Sequence, residues 1–189
     1  MIDRLFVAVI GERNAGKSTT WNTLFGRTVK TGNKARRLDV CPKGSVDVSF
    51  VGGSNEEKYR NLSEALTPSQ TDVFVISGSN EEKKRYAQKV LDNVDCRIIL
   101  CSVQYVEEAF ERTWEYVFSE HFSIYAQWLN PGHHGTESFD RLGLVDRLLA
   151  HNAVVSIRDG REDNGRLHLR TEEIRNYIHG WSAARGLLI

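Results

Sequence analysis

One short glycine-rich pattern restricts the fold of this chain more than any other feature of its sequence. An apolar run, Leu5–Ile10, precedes the pattern, and a segment with helical periodicity near residues 17–25 follows it. The pattern is a complete GxxxxGK(S/T), formed by Gly11, Glu12, Arg13, Asn14, Ala15, Gly16, Lys17 and Ser18. A strand, a glycine-rich turn and a helix in this order place backbone N–H groups and a helix N-terminus around a phosphate group. The sequence therefore predicts a phosphate-binding loop.

Several positions of this loop have a distinct chemical role. Gly11 and Gly16 allow the backbone to turn so that successive N–H groups face phosphate oxygens. Lys17 reaches the β- and γ-phosphates and is a candidate catalytic residue, and the hydroxyl group of Ser18 is a ligand for Mg²⁺. We therefore expect Mg²⁺ and a nucleoside triphosphate, either ATP or GTP, to bind at Gly11, Glu12, Arg13, Asn14, Ala15, Gly16, Lys17, Ser18 and Thr19.

Apolar runs alternate with helical periodicity along the chain, which is typical of an α/β domain with a mostly parallel sheet. Most of the runs are continuously apolar, as expected when helices cover both faces of the sheet. Strands are predicted at Leu5–Ile10, Val46–Val51, Asp72–Ile76, Arg97–Cys101, Phe122–Trp128 and Ala153–Ile157. Helices are predicted near residues 17–25, 55–66, 80–92, 105–119, 138–150 and 171–185. The prediction is a three-layer α/β sandwich with about six strands, in a single domain over residues 1–189.

Charge and cysteine content bear on partners and location. The 25 lysine and arginine residues balance 25 aspartate and glutamate residues, so the formal net charge is zero. This balance does not favour nucleic acid or a membrane surface as the partner, because both attract positively charged proteins. No window approaches the roughly 18 consecutive apolar residues of a membrane helix, and residues 1–7 lack the apolar core of a signal peptide. With three widely spaced cysteines, the expected compartment is the cytoplasm.

Two basic stretches are predicted to be long loops, which often carry function in compact domains. Residues 27–43 contain Arg27, Lys30, Lys34, Arg36, Arg37 and Lys43 against a single acid. Residues 158–170 contain Arg158, Arg161, Arg166 and Arg170. A third polar loop, with His133 and His134, follows the predicted strand Phe122–Trp128. This histidine pair belongs to an ordinary solvated loop, or it acts as a general base or contacts the nucleotide base.

Residues 7–26 resemble the P-loop GTPase superfamily. Residues 7–11, 16–19 and 22–26 are similar to the first strand, the phosphate loop and the first helix of translation-factor-type GTPases. The resemblance implies a fold of the P-loop NTPase type and places residues 27–43 in the first switch region. There it implies a Mg²⁺-binding threonine, with Thr28 and Thr31 as candidates. Arg36 or Arg37 would act as an arginine finger in cis, or both belong to a solvated basic loop.

Beyond residue 26 the chain departs from the pattern of these GTPases. An Asp-x-x-Gly motif is expected at the end of the third strand, where this chain has Phe50–Gly53. The Asn/Thr-Lys-x-Asp motif that reads guanine is missing after the predicted strand Arg97–Cys101, so the sequence does not decide between ATP and GTP. No strand ends in a clear acidic ligand for Mg²⁺. The nearest acids are Glu56, Glu81 and Asp159, of which we favour Glu56 or Glu81.

Three functions are compatible with these observations. The first is a GTPase-like NTP hydrolase that acts as a switch or is regulated by a partner, and the resemblance at residues 22–26 favours it. The second is a nucleotide or small-molecule kinase whose segment 158–170 closes over the phosphates as an arginine-rich lid. The third is a low-turnover nucleotide-binding subunit that assembles with a protein partner or with a second copy. The apolar C-terminal segment, residues 181–189, docks either on its own domain or on such a copy.

Overall fold

Six strands form one sheet in the computed structural model, which describes residues 3–41 and 69–189. The strands are β1 (Leu5–Gly11), β2 (Arg36–Cys41), β3 (Ser69–Ile76), β4 (Ile98–Gln104), β5 (Ser123–Leu129) and β6 (Val154–Arg158). Their order across the sheet is β2-β3-β4-β1-β5-β6. All neighbours run parallel except β2, which runs antiparallel to β3. The predicted α/β class with a mostly parallel sheet of six strands is confirmed.

Helices cover both faces of this sheet. They are α1 (Lys17–Phe25), α2 (Ala87–Leu91), α3 (Glu115–Ser119), α4 (Leu144–Ala150) and α5 (Asn164–Ala183), and a π-helical turn, Phe110–Trp114, leads into α3. Alternate residues of β1 enter two separate cores: Phe6 packs in the cluster that contains Trp114, and Val7 in the cluster that contains Trp21 and Ile174. The sheet is therefore the middle of three layers. In the described ranges, no helix has the length and apolar character needed to span a membrane.

The first basic stretch is not a loop throughout, because residues 36–41 form the edge strand β2. Leu38 and Val40 are buried in the core that also contains Trp21, whereas Arg37 before them is exposed and Asp39 between them is only partly buried. This alternation has the period of two that is typical of a half-buried strand. The density of basic residues concealed the pattern, and the loop prediction was wrong for these six residues.

The second basic stretch was also predicted wrongly. Strand β6 continues through Arg158, and α5 begins at Asn164, so Arg166 and Arg170 lie on a helix. The side chain of Asp163 caps this helix by accepting a hydrogen bond of 2.8 Å from the backbone N–H of Arg166. The predicted helix 171–185 therefore starts seven residues too late. Only residues 159–163, named here the β6–α5 loop, connect the two elements.

Other elements also differ from their predicted boundaries. The helices predicted near residues 80–92 and 138–150 are restricted to α2 and α4. Four predicted features lie outside the described residues: the strand Val46–Val51, the helix near residues 55–66, the segment Phe50–Gly53 and Glu56.

The C-terminal segment docks on its own domain. The N–H of Ile189 donates to the carbonyl of Gln70 at 2.8 Å, and the N–H of Gln70 donates back to the carbonyl of Ile189 at 3.1 Å.

Candidate nucleotide site

The phosphate loop joins β1 to α1 near the middle of the sheet, with β4 and β5 on either side of β1. Gly16, directly before α1, has a φ of 92° in the left-handed region that disfavours residues with a Cβ. A Cβ atom at Gly16 would also stand 2.9 Å from the carbonyl oxygen of Gly160. Glycine is therefore required here both by the turn and by the close approach of a second backbone segment.

The side chain of Lys17 folds back onto the start of the phosphate loop. Only 6% of the residue is exposed, and its Nζ donates to the carbonyl oxygens of Gly11, at 3.0 Å, and Glu12, at 2.7 Å. Burial lowers the pKa of the ammonium group, and the negative charge of Glu82 opposes this change. The ammonium group is thus held by backbone oxygens at the rim of the phosphate loop.

A cavity of about 310 Å³ lies over the phosphate loop, at the lower end of the size range of ligand pockets. Six of the nine predicted binding residues line it: Asn14, Ala15, Gly16, Lys17, Ser18 and Thr19. Glu12 and Arg13 line a smaller neighbouring cavity with His134, and Gly11 ends β1. The remaining walls of the main cavity come from three other segments, which contribute Ser77, Ser79, Glu82, His133 and Glu162.

Ser77, directly after β3, connects two of the predicted magnesium ligands. The hydroxyl of Ser18 donates to its carbonyl oxygen at 3.4 Å, and its own N–H donates to the hydroxyl of Thr31 at 3.1 Å. The same carbonyl accepts a 2.8 Å hydrogen bond from the buried hydroxyl of Ser102. The tertiary structure thus brings Thr31, and not the exposed Thr28, into contact with Ser77, which lines the cavity together with Ser18.

One acidic residue of the cavity wall is Glu82, which the sequence analysis missed. The carboxylate of neighbouring Glu81 accepts hydrogen bonds from the backbone N–H of Gln104 and the hydroxyl of Thr113, at 3.0 Å and 2.7 Å. Glu81 therefore connects the turn after β3 to β4 and to the π-helical turn. A hydrogen bond from Arg161 lowers the pKa of Asp159 to about 2. Of these acids, only Glu82 lines the cavity among the described residues.

A protein-family model described as 50S ribosome-binding GTPase matches residues 6–116, which is more than half of the chain. The chain belongs to this GTPase family. It is a P-loop GTP-binding protein, and the family resemblance seen at residues 7–26 is confirmed. Searches of curated proteins and of solved structures found no match.

The matched region of this family member carries the phosphate loop, Thr31 and Glu82, whereas His133 and the β6–α5 loop lie beyond it. His133 and Glu162 of that loop belong to the far wall of the cavity. The hydroxyl of Thr19 donates to Glu162 Oε1 at 2.6 Å, and His133 Nδ1 lies 3.6 Å from the same oxygen. The N–H of Gly160 donates to the carbonyl of Pro131 at 2.7 Å. The loops after β5 and β6 are thereby joined to each other and to α1.

The two candidate finger arginines of the GTPase both lie on β2. Nε of Arg37 pairs with Asp72 Oδ1 at 2.8 Å, on the exposed side of the strand. Nη2 of Arg36 donates to the carbonyl of Lys30 at 2.6 Å, directly next to Thr31. Neither side chain lines the cavity over the phosphate loop, as far as the described residues show. The finger role of either residue remains a prediction.

Proposed function

We propose that this chain is a Mg²⁺-dependent GTP hydrolase in which the segment between α1 and β2 responds to the nucleotide. The observation that carries the proposal is the pair of hydrogen bonds by which Ser18 and Thr31 both contact Ser77, a residue of the cavity wall. Thr31 reaches this point from residues 26–35, a stretch without helix or strand. A ligand that binds the hydroxyl of Thr31 would move this stretch, which is how loops report a γ-phosphate to partners.

Three side chains near the phosphate loop fit a magnesium ion. The hydroxyls of Ser18 and Thr31 and the carboxylate of Glu82 are oxygen donors, the ligand type that Mg²⁺ prefers. When bound, Mg²⁺ neutralises charge on the transferred phosphoryl group. In the proposed reaction, water attacks the γ-phosphorus, the bond to the β–γ bridging oxygen breaks, and GDP and phosphate leave. Lys17 binds the oxygens on which negative charge increases.

The nucleoside would leave the phosphate loop toward the β6–α5 loop. Ser18 and Glu82 would hold the magnesium ion. Thr19 and His133 lie against Glu162, which lines the cavity from the β6–α5 loop. A carboxylate is the group that accepts the two adjacent N–H donors of guanine, N1–H and the 2-amino group. We therefore propose that Glu162 contacts the base, supported on one side by the hydroxyl of Thr19. This would supply an acidic base contact although the usual motif is missing.

A nucleotide panel tests this function directly. Thermal shift and phosphate release are measured with ATP, GTP, CTP and UTP in the presence of Mg²⁺, with Lys17→Ala as the control. We expect GTP to raise the melting temperature most and phosphate to be released in that sample. Equal effects of all four nucleotides would contradict guanine recognition. Stabilisation by GTP without phosphate release would contradict the hydrolase and favour the low-turnover assembly subunit.

The structure of the second basic stretch gives little support to the kinase alternative. Arg158 pairs with Glu173, and both Arg161 and Arg166 pair with Asp159. Arg170 is fully buried. An arginine lid needs mobile guanidinium groups that can close over phosphates, whereas these four are engaged elsewhere or enclosed.

Of the two candidate finger residues, we propose Arg36. It lies on the same face of β2 as Leu38 and Val40, whose core also contains Trp21 of α1, and its guanidinium group contacts the carbonyl of Lys30 beside Thr31. We expect Arg36→Ala to lower kcat for GTP hydrolysis by at least about tenfold, because a finger stabilises charge that develops only in the transition state. GTP affinity, measured by titration, should change by no more than about twofold.

Arg37→Ala is the matched control. It removes a guanidinium group of the same strand that pairs with Asp72 on the opposite face. Both kcat and affinity should therefore stay near their wild-type values in this variant. Unchanged turnover in Arg36→Ala would discard the finger role for Arg36.

A further inference from the structure

We propose that Arg170 is a positioning residue of the phosphate loop, which it fixes against the β6–α5 loop while its positive charge strengthens triphosphate binding. The inference rests on the nucleotide binding described above and assigns a new part of the chain to it. Arg170 lies on α5, beyond the residues that match the GTPase family, and its side chain is fully buried. No motif in the sequence separates it from the other arginines of its stretch.

The contacts of Arg170 join three segments. Its Nε donates to the hydroxyl of Thr20 on α1 at 3.1 Å, and Thr20 in turn donates to the carbonyl of Gly16 at 3.1 Å. Its Nη1 donates to the carbonyls of Asp159 and Arg161, both at 3.0 Å. One planar guanidinium group thus holds the first turn of α1 and the β6–α5 loop in a fixed relation, as its rigid fork of donors permits.

The same geometry places a buried cation behind the phosphate loop. Nη2 of Arg170 is buried and has no hydrogen-bond partner in the described part of the chain. It lies 3.3 Å from the point where a Cβ of Gly16 would stand. The bonded partners of the other guanidinium nitrogens are neutral oxygens. Burial lowers the pKa of Arg170, and the charges of Glu162, Asp159 and Asp163 oppose this change, although none of the three forms an ion pair with it in the described residues. A buried charge that is not paired is costly unless an opposite charge comes near, and a bound triphosphate adds such a charge.

Arg175 shows what a purely structural arginine of the same helix looks like. It also connects α5 to α1, because its Nη2 donates to the carbonyl of Leu24 at 2.8 Å. Its Nη1, however, pairs with Glu172 at 2.6 Å, so its charge is neutralised within α5. Leu24 lies at the end of α1 that is remote from the phosphate loop. Arg175 is therefore a matched control for loss of an arginine between these two helices.

The test compares Arg170→Gln with Arg175→Gln in binding titrations with GTP and GDP, with melting temperatures measured in parallel. We expect Arg170→Gln to weaken GTP binding by about tenfold more than it weakens GDP binding, because GTP carries additional negative charge and the attraction of a buried cation is only weakly screened over the length of the phosphate loop. Arg175→Gln should lower the melting temperature yet leave the ratio of GTP to GDP affinity unchanged. Arg170→Lys keeps the positive charge but loses the planar set of guanidinium donors. The affinities for GTP and GDP should therefore both fall, while the ratio between them is retained.

Each result decides a separate part of the inference. Equal nucleotide affinities in Arg170→Gln and Arg175→Gln would overturn the role of Arg170. A common loss for GTP and GDP in Arg170→Gln would overturn the contribution of its charge. If Arg170→Gln does not fold, Arg170→Lys carries the test, and wild-type affinities in that variant would overturn the positioning role. A wild-type protein that binds no nucleotide would contradict the GTP-binding site itself, which separates that failure from these.

Discussion

Replacing Lys17 with alanine is expected to weaken GTP binding by at least about 100-fold without loss of the fold. Hydrogen bonds from a charged donor contribute about 1.5–3 kcal/mol, and the ammonium group also attracts the charge of the β- and γ-phosphates. The side chain is buried beside carbonyl oxygens of its own loop. Its removal therefore also removes the free-energy cost of burying a charge when no nucleotide is bound, so the fold should be retained. Titration with GTP and a melting curve without nucleotide measure the two effects.

Lys89→Ala is the control for this variant. Lys89 is an exposed residue of α2 whose ammonium group lies over the ring of Tyr86, outside the lining of the phosphate-loop cavity. Its replacement should leave GTP affinity within about twofold of the wild type, since a surface charge away from the ligand is largely screened. If Lys17→Ala bound GTP as tightly as Lys89→Ala does, the assignment of the phosphate loop would be wrong.

Gly160→Ala is expected to impair both stability and nucleotide binding. A Cβ at this position would stand 2.7 Å from the carbonyl oxygen of Ala15 and 3.0 Å from that of Pro131. Both are backbone atoms, which cannot rotate away as a flexible side chain can. Forcing one methyl group into such a packed contact costs about 1–3 kcal/mol. The melting temperature should fall by roughly 2–12 °C for a chain of this size, and GTP affinity by about tenfold or more as the phosphate loop is displaced.

Gly180→Ala provides the comparison. Gly180 lies in α5, and a Cβ there meets no atom within 4 Å. Alanine favours a helix over glycine by about 1 kcal/mol, so this variant should melt at or above the wild-type temperature and bind GTP normally. Equal behaviour of the two alanine variants would show that the contact between the β6–α5 loop and the phosphate loop does not matter.

The features that the sequence predicted correctly depend on neighbours along the chain. The phosphate loop is contiguous, and its preceding strand and following helix were predicted to within one residue of β1 and α1. The mostly parallel sheet followed from the alternation of apolar runs with helical segments. The prediction failed where charge obscured a local pattern. In β2 the buried pair Leu38 and Val40 stands among basic residues, and in α5 the first turn is rich in polar side chains.

Sequence alone established a phosphate loop at residues 11–18 inside an α/β domain, because adjacent residues set both the loop geometry and the strand–turn–helix order. The far wall of the site was decided by the tertiary structure alone. Gly160, Glu162 and Arg170 stand more than 140 positions after Lys17 in the chain. They reach the phosphate loop because β5 and β6 run parallel to β1, so that the loops after these strands emerge at one edge of the sheet. Nothing in the local sequence around these residues encodes that proximity.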